Sequence, residues 1–201
     1  MSIIRRMEEA DLPANPVRLS QAVALAAGAV LVLPASVSAA EACVLGDWRL
    51  TEYRSAAKGR NVEINAEGGE GARLSLTGKT ASYGFDKAKK VVTKGNDNGD
   101  RYVLKSVYKK RILFKSTLKG SKKGTLVLKR KTATGDATVK HTFNTVPMSR
   151  RKLAKHYRDG DVDPFIPVRH AFTCSGRTLK LAATLSDPVA PAAVTAVYRR
   201  L

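Results

Sequence analysis

Between residues 101 and 131 the chain alternates in character one residue at a time. Tyr102, Leu104, Ser106, Tyr108, Ile112, Phe114, Ser116, Leu118, Leu126 and Leu128 occupy even positions, while Arg101, Lys105, Lys109, Arg111, Lys115, Lys119, Lys129 and Lys131 occupy odd ones. Side chains of a strand point alternately to opposite faces, so this pattern predicts a sheet with one apolar and one cationic face. An apolar sheet face must be covered. No long segment keeps a helical period, so the sheet has to close on itself as a barrel or pack on a second sheet.

The rest of the chain after residue 43 reads as further short strands between turns. Candidates are 47–54, 61–67, 72–78 and 80–85 before the cationic stretch, and 137–144, 169–174, 177–185 and 193–200 after it. "KGNDNGD" (94–100) reads as a long turn, with Asn98–Gly99 supplying turn conformations. "SRRKLAKHYR" (149–158) is the one candidate short helix, with Ser149 as its N-cap.

The first forty residues differ in kind. Arg18 is the last positive charge before the uncharged, Ala-rich run "AVALAAGAVLVLPASVSAA" (22–40), which ends in small residues. This predicts a signal peptide over 1–40, cleaved after Ala40, and a mature domain over 41–201. Pro34 interrupts the run and leaves its apolar part short of a membrane span, which argues against an anchor. Arg5–Arg6 resembles a twin-arginine pair, but Met7 and Glu8 follow it. Two cysteines in an exported chain, Cys43 and Cys174, predict one disulfide. Two buried thiols or a lipidated Cys43 are the alternatives, and "AEAC" (40–43) fits a lipidation signal poorly.

Two stretches carry a family resemblance. "CVLGDWRL" (43–50) resembles the opening of a lipocalin-type barrel, where Gly-x-Trp starts the first strand. "FTCSGRTLKL" (172–181) with the terminal "AVYRRL" resembles the end of small secreted bacterial, actinobacterial-type, lipocalin-like proteins with a single disulfide. The resemblance covers both ends of the mature chain, and Arg177 departs from it by standing where an acidic residue is usual. It implies an all-β, antiparallel lipocalin-like barrel of about 8–10 strands. It also implies that Trp48 plugs the closed end under Arg199 or Arg200, a cation over an indole ring. Cys174 would then tie a late strand to the segment leading into the first. Tyr102, Leu104, Tyr108, Ile112, Phe114, Leu128 and His141 become the candidate interior or ligand cavity.

Charge then enters the picture. The 201 residues carry a net charge of +19, and the leader's charges cancel, so all of it stays on the mature domain. Residues 86–131 hold sixteen Lys or Arg against three Asp. Lys105, Lys109, Lys110, Arg111, Lys115 and Lys129 form a candidate polyanion face. A solvated surface that keeps a secreted protein soluble is the bland alternative. Catalytic signals do not appear. His141, His156 and His170 lack metal spacing, and "DGDVD" (159–163) departs from a calcium loop at Pro164 and His170. Neither a phosphate loop nor a nucleophile elbow is present, and no cofactor is implied.

The sequence therefore predicts a secreted or envelope-associated, monomeric, non-enzymatic barrel that binds a small apolar or amphipathic ligand. The competing expectation is a protein that holds an anionic envelope partner (teichoic acid, anionic lipid or extracellular DNA) on its basic face. Export disfavours intracellular nucleic acid. A hollow apolar interior would favour the first expectation and a filled one the second.

Overall fold

The computed structural model describes residues 43–186 and 190–201; the leader expected over 1–40 lies outside the described residues. The first strand, β1 (Gly46–Lys58), is 13 residues long and is the branch point of one continuous sheet. Its first half buries Trp48 and Leu50. The register against β14 (Ala192–Arg200) then slips between Leu50 and Glu52, and Thr51 Oγ1 donates to the Val197 carbonyl at 3.0 Å across the slip. This bulge moves the buried parity from even to odd positions, so the second half buries Tyr53 and Ala57.

The two halves of β1 choose different neighbours. The first pairs with β3 (Arg73–Thr77) and closes an eight-stranded antiparallel barrel. Around the ring, β14 is followed by β13 (Thr178–Leu185), β12 (Arg169–Ser175), β8 (Lys123–Leu128), β7 (Arg111–Gly120) and β4 (Thr80–Gly84), which meets β3. The second half pairs with β2 (Val62–Gly68) and starts a five-stranded lobe. The lobe continues through β5 (Val91–Asp97), β6 (Asp100–Lys109), β10 (Thr138–Phe143) and β11 (Val146–Lys152). The two-residue β9 (Thr134–Gly135) pairs with β7.

Side chains fill the barrel. Trp48, Leu74, Ile112, Phe114, Leu126, Leu128, Phe172, Leu179 and Leu181 are each at most 2% exposed. At one end Trp48 donates its Nε1–H to the Val44 carbonyl at 2.9 Å, and the Arg200 guanidinium lies 4.4 Å over its ring. Arg200 also donates to the carbonyls of Leu45 and Cys43. Gly46 has φ +115°, a conformation that other residues rarely adopt, and a Cβ there would also lie 3.0 Å from the Arg200 guanidinium. The Cys43–Cys174 disulfide fastens the same segment, with Cα atoms 6.0 Å apart and a sequence separation of 131. In the chain-entropy account a loop of that length stabilises by about 5 kcal/mol.

The other end is closed by α1 (Leu153–Asp159) and the loop that follows it. Leu153 and Tyr157 are fully buried, and the Tyr157 ring meets Phe114 edge-on at 4.9 Å. Phe165 inserts between Tyr53 and Tyr108, each 4.8 Å away. Three tyrosine hydroxyls hold the loop: Tyr53 donates to the Pro164 carbonyl, Tyr157 to the Ile166 carbonyl and Tyr108 to the Asp163 carboxylate.

The structure corrects the sequence reading at four places. The helix starts at Leu153 rather than Ser149, because Ser149 lies within β11 and residues 150–152 pair with β10; Lys152 is its N-cap. The stretch 94–97 belongs to β5, and only 98–99 turn. β11 was not foreseen. Tyr102, Leu104, Tyr108 and His141 are not on barrel strands, because β6 and β10 pair outside the closed ring; Tyr102, Leu104 and His141 lie half-buried on the lobe, and Tyr108 is buried against Phe165 and Asp163.

Two outcomes follow from this packing. Phe114→Ala should cost about 3–5 kcal/mol in denaturant unfolding, whereas Lys115→Ala, one residue on and exposed, should be nearly neutral. Burial raises the pKa of Asp163, partly offset by hydrogen bonds from the Phe165 N–H and Tyr108. Above about pH 4 the unfolded chain releases a proton that the folded chain retains, so this residue costs stability as pH rises towards its folded pKa. Asp163→Asn keeps an acceptor oxygen and removes that loss. Urea unfolding should show the two proteins alike at pH 3.5 and the variant more stable at pH 7.

Candidate polyanion-binding surface

Residues directly opposite one another in an antiparallel ladder share a face. Following the ladder around the outside of the barrel gives a row of arginines. Arg111 lies opposite Gly84, Gly84 opposite Arg73, Arg73 opposite Arg49 and Arg49 opposite Arg199. All four arginines are exposed. Arg73, Arg49 and Arg199 occupy consecutive strands, so their backbones are about 5 Å apart. None of the four forms an ion pair among the described residues.

The lobe repeats the motif on its outer face. Lys109 lies opposite Thr138, which lies opposite Lys152. Val107, Lys140 and Arg150 form the next row, and Lys105, Thr142 and Pro147 the one after. Lys94 and Arg101 share this face, and the outward positions of β5, β6, β10 and β11 carry no acidic residue. Acids on this side of the lobe begin only at β2, with Glu63 and Glu67.

Like charges placed directly opposite in a sheet destabilise it. Arg73–Arg49–Arg199 and Lys140–Arg150 are such placements. A chain with 17 Asp or Glu has the means to neutralise them, yet seven of the eight barrel strands contain no acid; β1, with Asp47 and Glu52, is the exception.

The six cations expected from the sequence divide. Lys105 and Lys109 lie on the lobe's outer face, and Arg111 begins the arginine row. Lys115 and Lys129 are exposed on the barrel wall, where the Lys129 N–H donates to the Lys115 carbonyl at 2.8 Å. Lys110 has φ +67° between β6 and β7, and its Nζ pairs with Asp136 at 3.0 Å, which holds that carboxyl below the ordinary aspartate value. Lys110 is thus partly neutralised. Of the two arginines offered as the Trp48 plug, Arg200 covers the ring and Arg199 points outward into the arginine row.

The remaining candidate chemistry disperses. Asp159 pairs with Lys155, Asp161 with His156 at 3.2 Å, and Asp163 is buried under Tyr108, so the three alternating aspartates face three different partners. His141 Nδ1 lies 2.9 Å from Ser106 Oγ, and burial lowers its pKa. His170 is buried at the barrel's edge and pushed down to about 4, so at neutral pH it adds no charge. Among the described residues no group of three His, Cys, Asp or Glu could hold a metal ion.

No protein-family model, curated protein or solved structure matches the chain.

Arg49, Arg73, Lys140 and Arg150 were not singled out in the sequence, and Arg199 was read only as a possible cover for Trp48. Parity within one strand shows which side chains point outward, but not which of them meet across strands. Arg49 stands between two arginines, so Arg49→Glu exchanges two like-charged contacts for two opposite ones. It should raise unfolding stability by about 1 kcal/mol, while Arg49→Ala should gain less. Thermal or urea unfolding at low salt measures both.

Proposed function

We propose that this is an exported, non-catalytic barrel protein that binds a polyanion of the cell envelope on its cationic wall. The observation that carries the reading is the direct cross-strand opposition of unneutralised arginines and lysines at two places, the Arg73–Arg49–Arg199 row and the Lys140–Arg150 pair. Solubility alone is served by mixed charges. It gives no reason to stack like charges where acids would stabilise the sheet. Arginine is suited to phosphate and carboxylate because its planar fork donates two parallel hydrogen bonds. The disulfide is consistent with an oxidising, extracytoplasmic setting.

A carrier of amphipathic ligands draws less support. Such a carrier needs room inside the barrel, and the interior positions expected to form a cavity, Ile112, Phe114 and Leu128, are packed to at most 2% exposure. Three open grooves lie on the lobe, lined by mixed groups such as Lys58, Glu63, Lys90, Val92, Tyr102 and Val103.

Salt titration tests the reading. Double-stranded DNA serves as a polyanion of defined charge density, and log affinity should fall linearly with log salt. Replacing Arg49, Arg73 and Arg199 by Gln should flatten that slope by roughly 2–3, at about 0.9 per lost contact, with folding retained. A slope unchanged by the triple replacement would show that the arginine row is not the binding surface.

A further inference from the structure

The lobe ends in a hairpin of a different character. β11 is bonded on one side only, by β10, and all seven of its residues are exposed. Six large hydrophobic side chains are exposed among the described residues, and three of them are on this hairpin: Phe143 at 43%, Val146 at 63% and Met148 at 42%. Tyr102 stacks on Phe143 with ring centroids 5.5 Å apart. The turn is bolted to β6: the Asn144 N–H donates to the Val103 carbonyl at 2.7 Å, and the Val103 N–H donates to Asn144 Oδ1 at 2.8 Å. The apolar group is thus rigidly displayed.

Cations flank the edge from the other side: Phe143 and Val146 lie opposite one another on one face of the hairpin with Arg151, while Lys140, Arg150 and Lys152 lie on the other. Residues 137–152 contain Lys140, Arg150, Arg151 and Lys152 and no acid. Proline and cations on an edge strand block unwanted pairing with another chain, which accounts for Pro147 and the basic residues. It does not account for Phe143, Val146 and Met148. Approached by its edge, the hairpin presents exposed apolar groups on one flank and cations on the other, which matches a surface that is apolar beneath and anionic above.

We propose that the β10–β11 hairpin docks this protein edge-on to an anionic phospholipid bilayer, with Phe143, Val146 and Met148 entering the interface and Lys140, Arg150, Arg151 and Lys152 meeting the lipid phosphates. This rests on the polyanion-binding reading and names the partner for the lobe. Only side chains enter. The backbone donors of an unpaired edge cannot leave water without partners, so the strand lies at headgroup depth. Pro147 removes one such donor. The acidic turn between β5 and β6, with Asp97 and Asp100, stays two to three strands from this edge, about 10–14 Å, beyond most of the Debye length at physiological salt.

The test uses the full chain, vesicles of phosphatidylcholine with and without phosphatidylglycerol, and soluble polyphosphate. Val146→Trp provides a local reporter, read against the wild type, whose Trp48 is fully buried. Its emission should shift to the blue with anionic vesicles and be quenched by brominated lipid. Leu113→Trp on the barrel wall should do neither. Replacing Phe143, Val146 and Met148 together by Ser should weaken binding to anionic vesicles by about tenfold or more and leave polyphosphate binding unchanged. An unshifted Val146→Trp emission, or a Ser variant that binds vesicles as well as the wild type, overturns the docking proposal. Binding to polyphosphate but not to anionic vesicles overturns it while the polyanion reading stands. If the wild type binds neither, the polyanion reading fails and the docking proposal falls with it.

Discussion

The single extra residue in β1 is the constraint on which the rest of the molecule depends. A regular strand of 13 residues would keep one parity throughout. Trp48 and Leu50 would then share the barrel's inside with Glu52 and Arg54, and Tyr53 would face solvent. The slip at Thr51 reverses this, and it coincides with the exchange of partners from β3 to β2. One strand can therefore line a barrel and then carry a sheet beyond it, with the same face turned inward throughout. Tyr53, the first inward residue after the bulge, is also the one whose ring packs on Phe165 and whose hydroxyl holds Pro164. The closure of the barrel's second end thus depends on the same local irregularity.

That dependence explains what could be read from the sequence. The inward positions of β7 and β8 were legible because Ile112, Phe114, Leu126 and Leu128 alternate with lysines over a long run. The sheet's need to close was legible too, since no helix was available to cover it. Partner exchange was not. A bulge costs the pattern one residue, and "DWRLTEYR" reads equally well as one uninterrupted strand. β11 escaped because Pro147 argues against a strand and its outward cations suggest a helix face. On an edge strand proline is tolerated, since one side needs no hydrogen bond, but a sequence does not say which strand is the edge. Asp163 looked like one of three turn aspartates. Its burial is set by Tyr108 and Phe165, residues that only the fold brings to it.

Arg199 and Arg200 show how sharply the fold divides neighbouring residues of one type. Arg200 lies over Trp48 and binds the carbonyls of Cys43 and Leu45, joining the last strand to the segment before the first. Arg199 projects the other way, into a row where its neighbours are arginines. The first stabilises by stacking and hydrogen bonding; the second carries a repulsion that its own strand does nothing to relieve. Their chemistry is identical, so position alone assigns one to structure and the other to the surface.

The barrel's stability and its charge are therefore separable. Inward positions are fixed by packing, where the loss of a methylene is felt. Outward positions of the same strands are constrained only by propensity and by their cross-strand neighbours, terms of a few tenths to about 1 kcal/mol. A filled, disulfide-tied barrel can absorb several such penalties and remain folded. In β3, β1 and β14 the penalties fall on consecutive strands rather than at random, and in the lobe they fall on β10 and β11, the hairpin that also carries exposed apolar groups on its other face. Uncoordinated surface drift would scatter them and mix the two signs. On the polyanion-binding proposal, their concentration in two aligned rows is what an anionic partner with closely spaced charges would select, because each added cation in register would strengthen binding while the packed interior bears the cost.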